Sequence, residues 1–276
     1  PMIWQRLVSV KNALKQLAQR PLMIHRLVVT QFSLQQANTP KFVEKPSSAF
    51  TANIRENTTM TIRAVTFDLW DTIVDDDSDE AHRSAKGMRS KRDERRHLMW
   101  QALNGVQEID LEMVVQAYDV ADAAFNVVWK ENHINWSVDQ RMRVIATGLG
   151  RTLPDDVMAK LIDDTGRMEV DMPPNAIDGI GQALAELATR YKLSIVSDSI
   201  VTPGTGLRKI LENHGLIDHF SGFAFSDEVG HSKPHRSMFD SAAKQLDVDV
   251  TEIVHIGDRD HNDIKGPHAI GAKAVL

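Results

Sequence analysis

Two kinds of hydrophobic pattern alternate along the chain. TIRAVTFDLW (61–70), KLSIVSDS (192–199) and EIVHIGD (252–258) are short apolar runs rich in β-branched and aromatic residues. Such runs predict buried strands. HFSGFAFSDEVG (219–230) predicts a shorter strand and loop, and AKAVL (272–276) begins another strand. Between the first and second runs, from about 78 to 170, the text is helical. SDEAHRSAKGMRSKRDERRHLMWQAL (78–103) predicts one charged helical stretch, and DLEMVVQAYDVADAAFNVVWKEN (110–132) repeats apolar residues at helical spacing. SVDQRMRVIATGLG and LPDDVMAKLIDDTGR predict two shorter helices, the former stopped by Gly148 and Gly150. After MPPNAIDGI, helices at GIGQALAELATRY, GTGLRKILENHGL and HRSMFDSAAKQLDV alternate with the remaining strands.

Strand–helix alternation implies an α/β fold: a parallel sheet with right-handed crossovers and helices on both faces. Ligands bind beyond the carboxyl ends of the strands in such sheets. The informative residues are therefore Asp68, Ser197, and Asp258 with Asp263, which follow three different strands.

Composition narrows the class. The chain has 276 residues, 42% hydrophobic and 25% charged, and no cysteine. That is ordinary globular usage, and it excludes disulfides and thiolate chemistry. No apolar run reaches the roughly 18 to 20 residues that span a bilayer. The net charge of −6 argues against a nucleic-acid partner. The charge is unevenly spread: residues 1–59 hold eight Lys/Arg and two acids, so residues 60–276 carry −12. The basic, amphipathic opening MIWQRLVSVKNALKQLAQR has the composition of an organelle transit peptide. The alternative is that the protein starts at Met60, with residues 1–59 a disordered tail or upstream sequence. The first reading predicts a mitochondrial protein, the second a cytoplasmic one.

The strand ends carry the chemistry. Asp68 can act as a nucleophile toward phosphorus, or as a turn residue. Thr72 can hydrogen-bond a phosphoryl oxygen or hold the turn. Ser197 and its neighbouring N–H groups can bind phosphate oxygens, or cap a helix. Lys233 precedes Pro234, which is expected in the first helical turn, leaving Lys233 at the loop end to neutralise phosphate and nucleophile charge. HIGDRDHNDIKG puts Asp258, Asp260 and Asp263 within six residues of one another. Magnesium prefers a few carboxylate oxygens with water and phosphate oxygens, and a strand end is well placed to supply them.

Asp68…Thr72, Ser197, Lys233-Pro234 and Gly257-Asp258…Asp263 follow the order and approximate spacing of the haloacid dehalogenase-like hydrolase superfamily, which residues 61–276 resemble. The resemblance implies a Rossmann-like core at 61–77 and 176–276, with an α-helical cap inserted at 78–175. It implies a catalytic nucleophile at Asp68, with Ser197 and Lys233 binding the phosphoryl group. It also implies Mg2+ held by Asp68, the Trp70 backbone carbonyl, Asp258 and Asp263. The substrate implied is a small phosphorylated metabolite.

One position departs from the pattern. Phosphatases of this superfamily usually carry a second Asp two residues after the nucleophile, where it protonates the leaving group and then activates water. Here that residue is Trp70, and losing a general acid/base costs about 10²- to 10⁴-fold. Superfamily 2-haloacid dehalogenases also carry an aromatic residue there, but generally without a fully acidic fourth motif. Three functions therefore stand: a magnesium-dependent phosphatase, a catalytically weak phosphate-binding or regulatory protein, and a dehalogenase, favoured in that order. Asp71 either substitutes for the missing acid or shapes the turn. In the cap, Arg89, Arg92 and Arg96 share one helix face, expected to be solvated and paired with Asp93 and Glu94. Trp129 and Trp136 are expected in the cap core.

Overall fold

The computed structural model describes residues 61–276. The basic segment 1–59, with its transit-peptide and tail readings, lies outside the described residues. Five strands form one parallel sheet: β1 (Ala64–Phe67), β2 (Lys192–Ser197), β3 (Gly222–Phe225), β4 (Ile253–Ile256) and β5 (Lys273–Val275), in the order β3-β2-β1-β4-β5. β1 is central, with Phe67 in register with Ile195 of β2 and Ile256 of β4. The chain therefore leaves three adjacent strands at nearly the same level, and the residues that follow converge.

The short apolar runs become strands because both faces of the sheet are covered. Successive residues point to opposite faces. Leu193 and Ile195 of β2 join Val65 and Phe67 of β1 in the largest buried cluster, completed by helices Ile180–Ala188 and Gly204–Asn213. Val196 faces the other way, onto Met238, Phe239 and Ala242 of the helix Arg236–Leu246. The architecture is the α/β, Rossmann-like one that the alternation predicts.

Between β1 and β2 stand helices α1 (Ser78–Ala85), α2 (Lys91–Val106), α3 (Leu111–Asn132), α4 (Val138–Gly148), α5 (Asp155–Gly166) and a short turn, α6 (Met168–Asp171). The charged helical stretch over 78–103 forms as two helices. Gly87 takes a left-handed φ of 67° between α1 and α2, a conformation that side-chain-bearing residues avoid. Met99, Leu103, Val114, Tyr118, Met142, Ile145 and Leu161 give α2–α5 a buried cluster of their own. No helix among the described residues is long and apolar enough to cross a membrane.

Buried charge ties this helical layer to the sheet. Lys91 Nζ donates to Asp79 (2.8 Å) and Glu169 (3.1 Å), and Thr202, just past β2, hydrogen-bonds Glu169 at 2.5 Å. A second set of bonds reaches the loop after β2. Trp129 Nε1 donates to Asp198 Oδ2 (3.3 Å), Asn135 to the Ser199 carbonyl (2.9 Å) and Arg141 to the Ile200 carbonyl (2.8 Å). Three consecutive residues at a strand end are thus held from the helical layer.

The arginine face differs from expectation. Arg89 lies ahead of α2, whose N-cap is Ser90, and pairs with Glu94. Arg92 and Arg96 turn to Asp119 on α3, and Arg96 is buried against Tyr118. The reason is tertiary: α3 packs alongside and offers its acids where i, i+3 partners would have stood.

Candidate active site

Asp68 follows β1 directly, its N–H bonded to the Ile256 carbonyl of β4 at 2.8 Å. Its carboxylate is buried and accepts from Lys233 Nζ at 2.7 Å. The same ammonium donates to Asp263 Oδ1, also at 2.7 Å. Lys233 arrives from the loop after β3, through a cis Lys233–Pro234 peptide. Pro234 was expected in the first helical turn. It instead precedes His235, which is the N-cap and accepts from the Ser237 N–H through its ring nitrogen.

Asp68, Asp258 and Asp263 each bring a carboxylate oxygen within 4.8 Å of the other two. Asp260 does not join them; it is exposed and paired with Lys265. Close approach of Asp263 depends on Gly257, where an added Cβ would fall 2.4 Å from Asp263 Cγ. The approach of three carboxylates has an electrostatic cost that Lys233 offsets in part. Burial alone would discharge Lys233, but Asp263, Asp68 and Asp198 together raise its pKa above the ordinary lysine value. Burial alone would likewise raise Asp263, but Lys233 and the hydrogen bond from His255 bring it well below the usual carboxylate range. Asp258 is pushed up to about 6, first by burial and then by the Asp68 charge. One of its buried oxygens has no hydrogen-bond partner among the described residues.

That orphaned oxygen and the close trio are a fit for a divalent cation. Carboxylates so near one another repel, and a hard cation is the partner that relieves them.

Ser197 ends β2, and Thr72 lies in the turn after Asp68. Both are fully buried, and neither side-chain oxygen has a hydrogen-bond partner among the described residues. Buried hydroxyls are normally satisfied, so these two are free to meet oxygens of a bound group. Asp71 has a left-handed φ of 56°, and its carboxylate accepts from the Asp76 N–H at 3.1 Å. It holds the turn. Trp70 is half-buried against the sheet cluster, and its indole N–H donates to the Asp198 carbonyl at 3.3 Å.

Three residues at this site escaped the sequence reading. His255 is buried in β4. Its Nε2 donates to Asp263 Oδ1 (3.1 Å), and its Nδ1 accepts from Thr66 Oγ1 (2.8 Å). The carboxylate can only accept, which assigns that tautomer, and burial lowers the histidine pKa so that the ring is neutral. A histidine inside an apolar strand was the available signal, since a buried imidazole needs partners. Asp198 accepts from the Lys233 backbone N–H (2.9 Å), and burial pushes it up to about 6. Arg259 reaches the site beside Asp258, its guanidinium 3.9 Å away. Trp129, expected in the cap core, instead stacks on Phe125 and bonds Asp198. Trp136 lies half-buried against Phe125, 6.0 Å between centroids, outside the main helical cluster.

A cavity of about 350 Å3 opens beside Lys233. Its walls are Trp129, Lys130 and His133 from the end of α3, and Arg259, His261 and Asn262 from the loop after β4.

The haloacid dehalogenase-like hydrolase model matches residues 62–271. The chain belongs to that family. Among curated relatives, it is 36% identical over 85 residues to a glyceraldehyde 3-phosphate phosphatase of Pyrococcus abyssi, covering 31% of this chain and 34% of that protein. It is 30% identical over 108 residues to a 5-amino-6-(5-phospho-D-ribitylamino)uracil phosphatase of Escherichia coli, covering 39% of this chain and 40% of that one. The matched segments thus span two fifths or less of these relatives. Among solved structures, a 2-haloacid dehalogenase from Pseudomonas syringae superposes with a TM-score of 0.54 at 20% identity, over 78% of this chain and 85% of that one. A haloacid dehalogenase-family phosphatase from Thermococcus onnurineus superposes at 0.51, also at 20% identity, over 78% and 86%. At such identity these two share the fold. The chain is thus a member of this hydrolase family, with phosphatases among its relatives.

Proposed function

We propose that the protein is a magnesium-dependent phosphatase of small phosphomonoesters, working through a phosphoaspartate on Asp68. The observation that carries this is the joining of Asp68, Asp258 and Asp263 within 4.8 Å, with Lys233 Nζ bridging Asp68 and Asp263. Asp68 Oδ attacks phosphorus, an Asp68 O–P bond forms, and the ester P–O bond breaks with its electron pair on the leaving oxygen. Water then attacks the acyl phosphate, giving inorganic phosphate and the free carboxylate. Lys233 orients Asp68 and offsets charge on the transferring group. Thr72 and Ser197 offer their unpartnered hydroxyls to its oxygens. Asp68, Asp258, Asp263 and the Trp70 carbonyl are the groups that would hold Mg2+, which supplies neutralisation of phosphoryl charge when bound. His255 keeps Asp263 in place.

The helical layer 78–175 is, in this reading, the cap over the core. Trp70 brings no proton, so departure of the leaving oxygen depends on its own basicity or on another donor. Two observations support a second reading, a phosphate-binding protein of weak catalytic power. The indole is directed to the Asp198 carbonyl, and Asp71 is engaged in the turn.

Phosphate release from 4-nitrophenyl phosphate and from sugar, nucleotide and acyl phosphates, with Mg2+ and with chelator, tests the proposal. Asp68→Asn is the blank. Magnesium-dependent release that vanishes in the blank supports the phosphatase. Folded protein that binds Mg2+ and a phosphate analogue but turns nothing over selects the second reading.

A further inference from the structure

The cavity beside Lys233 has a charge out of keeping with the chain around it. Residues 60–276 carry a net −12, yet no carboxylate lines the cavity. Its two walls come from different parts of the fold. The end of α3 contributes Lys130, which is exposed and has no ion-pair partner among the described residues. The loop after β4 contributes Arg259, whose nearest carboxylate is 3.9 Å away and whose guanidinium makes no side-chain hydrogen bond among the described residues. His133 and His261 face each other from the two walls, 6.0 Å between ring centroids. The inner end is Lys233, and its charge is already matched by Asp68 and Asp263.

Arg259 feels the carboxylates of the reaction centre, Asp68 and Asp258 first, whereas Lys130 stands on the helical layer and not at a strand end and is surplus to that centre. The C-terminal carbonyls of α3 give that end a partial negative charge, which disfavours an anion. A full lysine charge and the arginine fork more than offset it. The arginine fork suits a carboxylate or phosphate geometrically. At about 350 Å3 the cavity is at the small end of ligand sites.

We infer that the part of the substrate left behind after phosphate transfer carries a second anionic group, a carboxylate or a second phosphate, held by Lys130 and Arg259 at the cavity mouth. The inference rests on the phosphatase reading and sharpens it. The substrates in the names of the curated relatives, glyceraldehyde 3-phosphate and the ribitylaminouracil phosphate, have no such second anion.

The test uses a series of three-carbon phosphates that differ in one terminal group. Glycerol 3-phosphate, glyceraldehyde 3-phosphate and 3-phosphoglycerate end in alcohol, aldehyde and carboxylate; glycerol 1,3-bisphosphate adds the second phosphate. Binding is measured calorimetrically to Asp68→Asn protein in Mg2+, and kcat/KM is measured on the unaltered protein. The expected result is at least about tenfold tighter binding of an anionic member than of glycerol 3-phosphate, the size of one charge-assisted contact. Which of the two anions is preferred identifies the source. Lys130→Gln should cut that ratio at least threefold, and Lys130→Glu should abolish it. Lys130 is exposed on a helix, so both variants are expected to fold.

Equal binding across the series overturns the inference, as does a preference that Lys130→Glu leaves untouched. If phosphate release is Asp68-dependent in that case, the phosphatase reading survives alone. If no ester is hydrolysed but the Lys130-dependent preference is present, the anion subsite stands and the phosphatase reading falls.

Discussion

Replacing Lys233 by methionine should cost the protein stability before it costs it catalysis. Methionine keeps the length and apolar character of the lysine stem, so packing changes little. What disappears is the ammonium that lies 2.7 Å from both Asp68 and Asp263, with all three groups out of water. Removing one member of a buried ion pair leaves an uncompensated charge and costs about 3–5 kcal/mol. For a chain of this size, about 3 kcal/mol corresponds to a fall in Tm of roughly 6 to 12 °C. The pH dependence carries a sign. Lys233 and His255 hold the Asp263 pKa down, so in the native protein that carboxylate contributes stability above the unfolded value of about 3.8, lost as pH falls. The variant lacks most of that contribution. The gap between the two proteins should therefore persist from pH 7 down to about pH 4 and narrow only below that, as pH falls toward the native Asp263 pKa. A divalent cation should close part of it, by relieving the same carboxylates. Thermal unfolding in chelator, then in Mg2+, at several pH values measures all of this. Equal Tm values at pH 7 in chelator would refute the reasoning, as would a gap that widens on acidification.

Other outcomes are open to direct measurement. Asp76 is pushed up to about 6, first by burial and then by Asp77; a raised carboxyl destabilises the folded state above the unfolded pKa. Asp76→Asn should therefore stabilise by ~1 kcal/mol at pH 7, after allowance for partial exposure, and by almost nothing at pH 4. Chemical denaturation at the two pH values reads the difference. Trp70→Asp should raise the rate on alkyl phosphates relative to 4-nitrophenyl phosphate by about tenfold or more, because a proton donor matters most for a basic leaving group. An unchanged ratio would mean that another group supplies the proton. Gly257→Ala should lose about 2 kcal/mol or more of stability and weaken Mg2+ binding, since its Cβ would meet the buried, ion-paired Asp263. Titration calorimetry with Mg2+ checks the second half.

What could be read without a fold was what depends on neighbours in sequence. Period-two and period-3.6 patterns are local, so strands at Ala64–Phe67, Lys192–Ser197 and Ile253–Ile256 and their parallel orientation followed from the text, while their order in the sheet did not. Asp68, Ser197, Asp258 and Asp263 could be singled out because strand ends are where an α/β sheet presents its chemistry. Tertiary structure decided which side chains meet. Lys233 comes from the loop after β3 to sit between Asp68 and Asp263, and the buried ion pairs exist only once three strand ends are aligned. His255 becomes a support for Asp263 because β4 lies beside β1 and Thr66 takes its other nitrogen. Arg92 and Arg96 leave their own helix for Asp119 because α3 packs against α2. Trp129 reaches Asp198, and Lys130 and Arg259 line one cavity, because the end of α3 comes up to the strand ends. Long-range electrostatics and packing have no period, and only the folded chain brings those partners together.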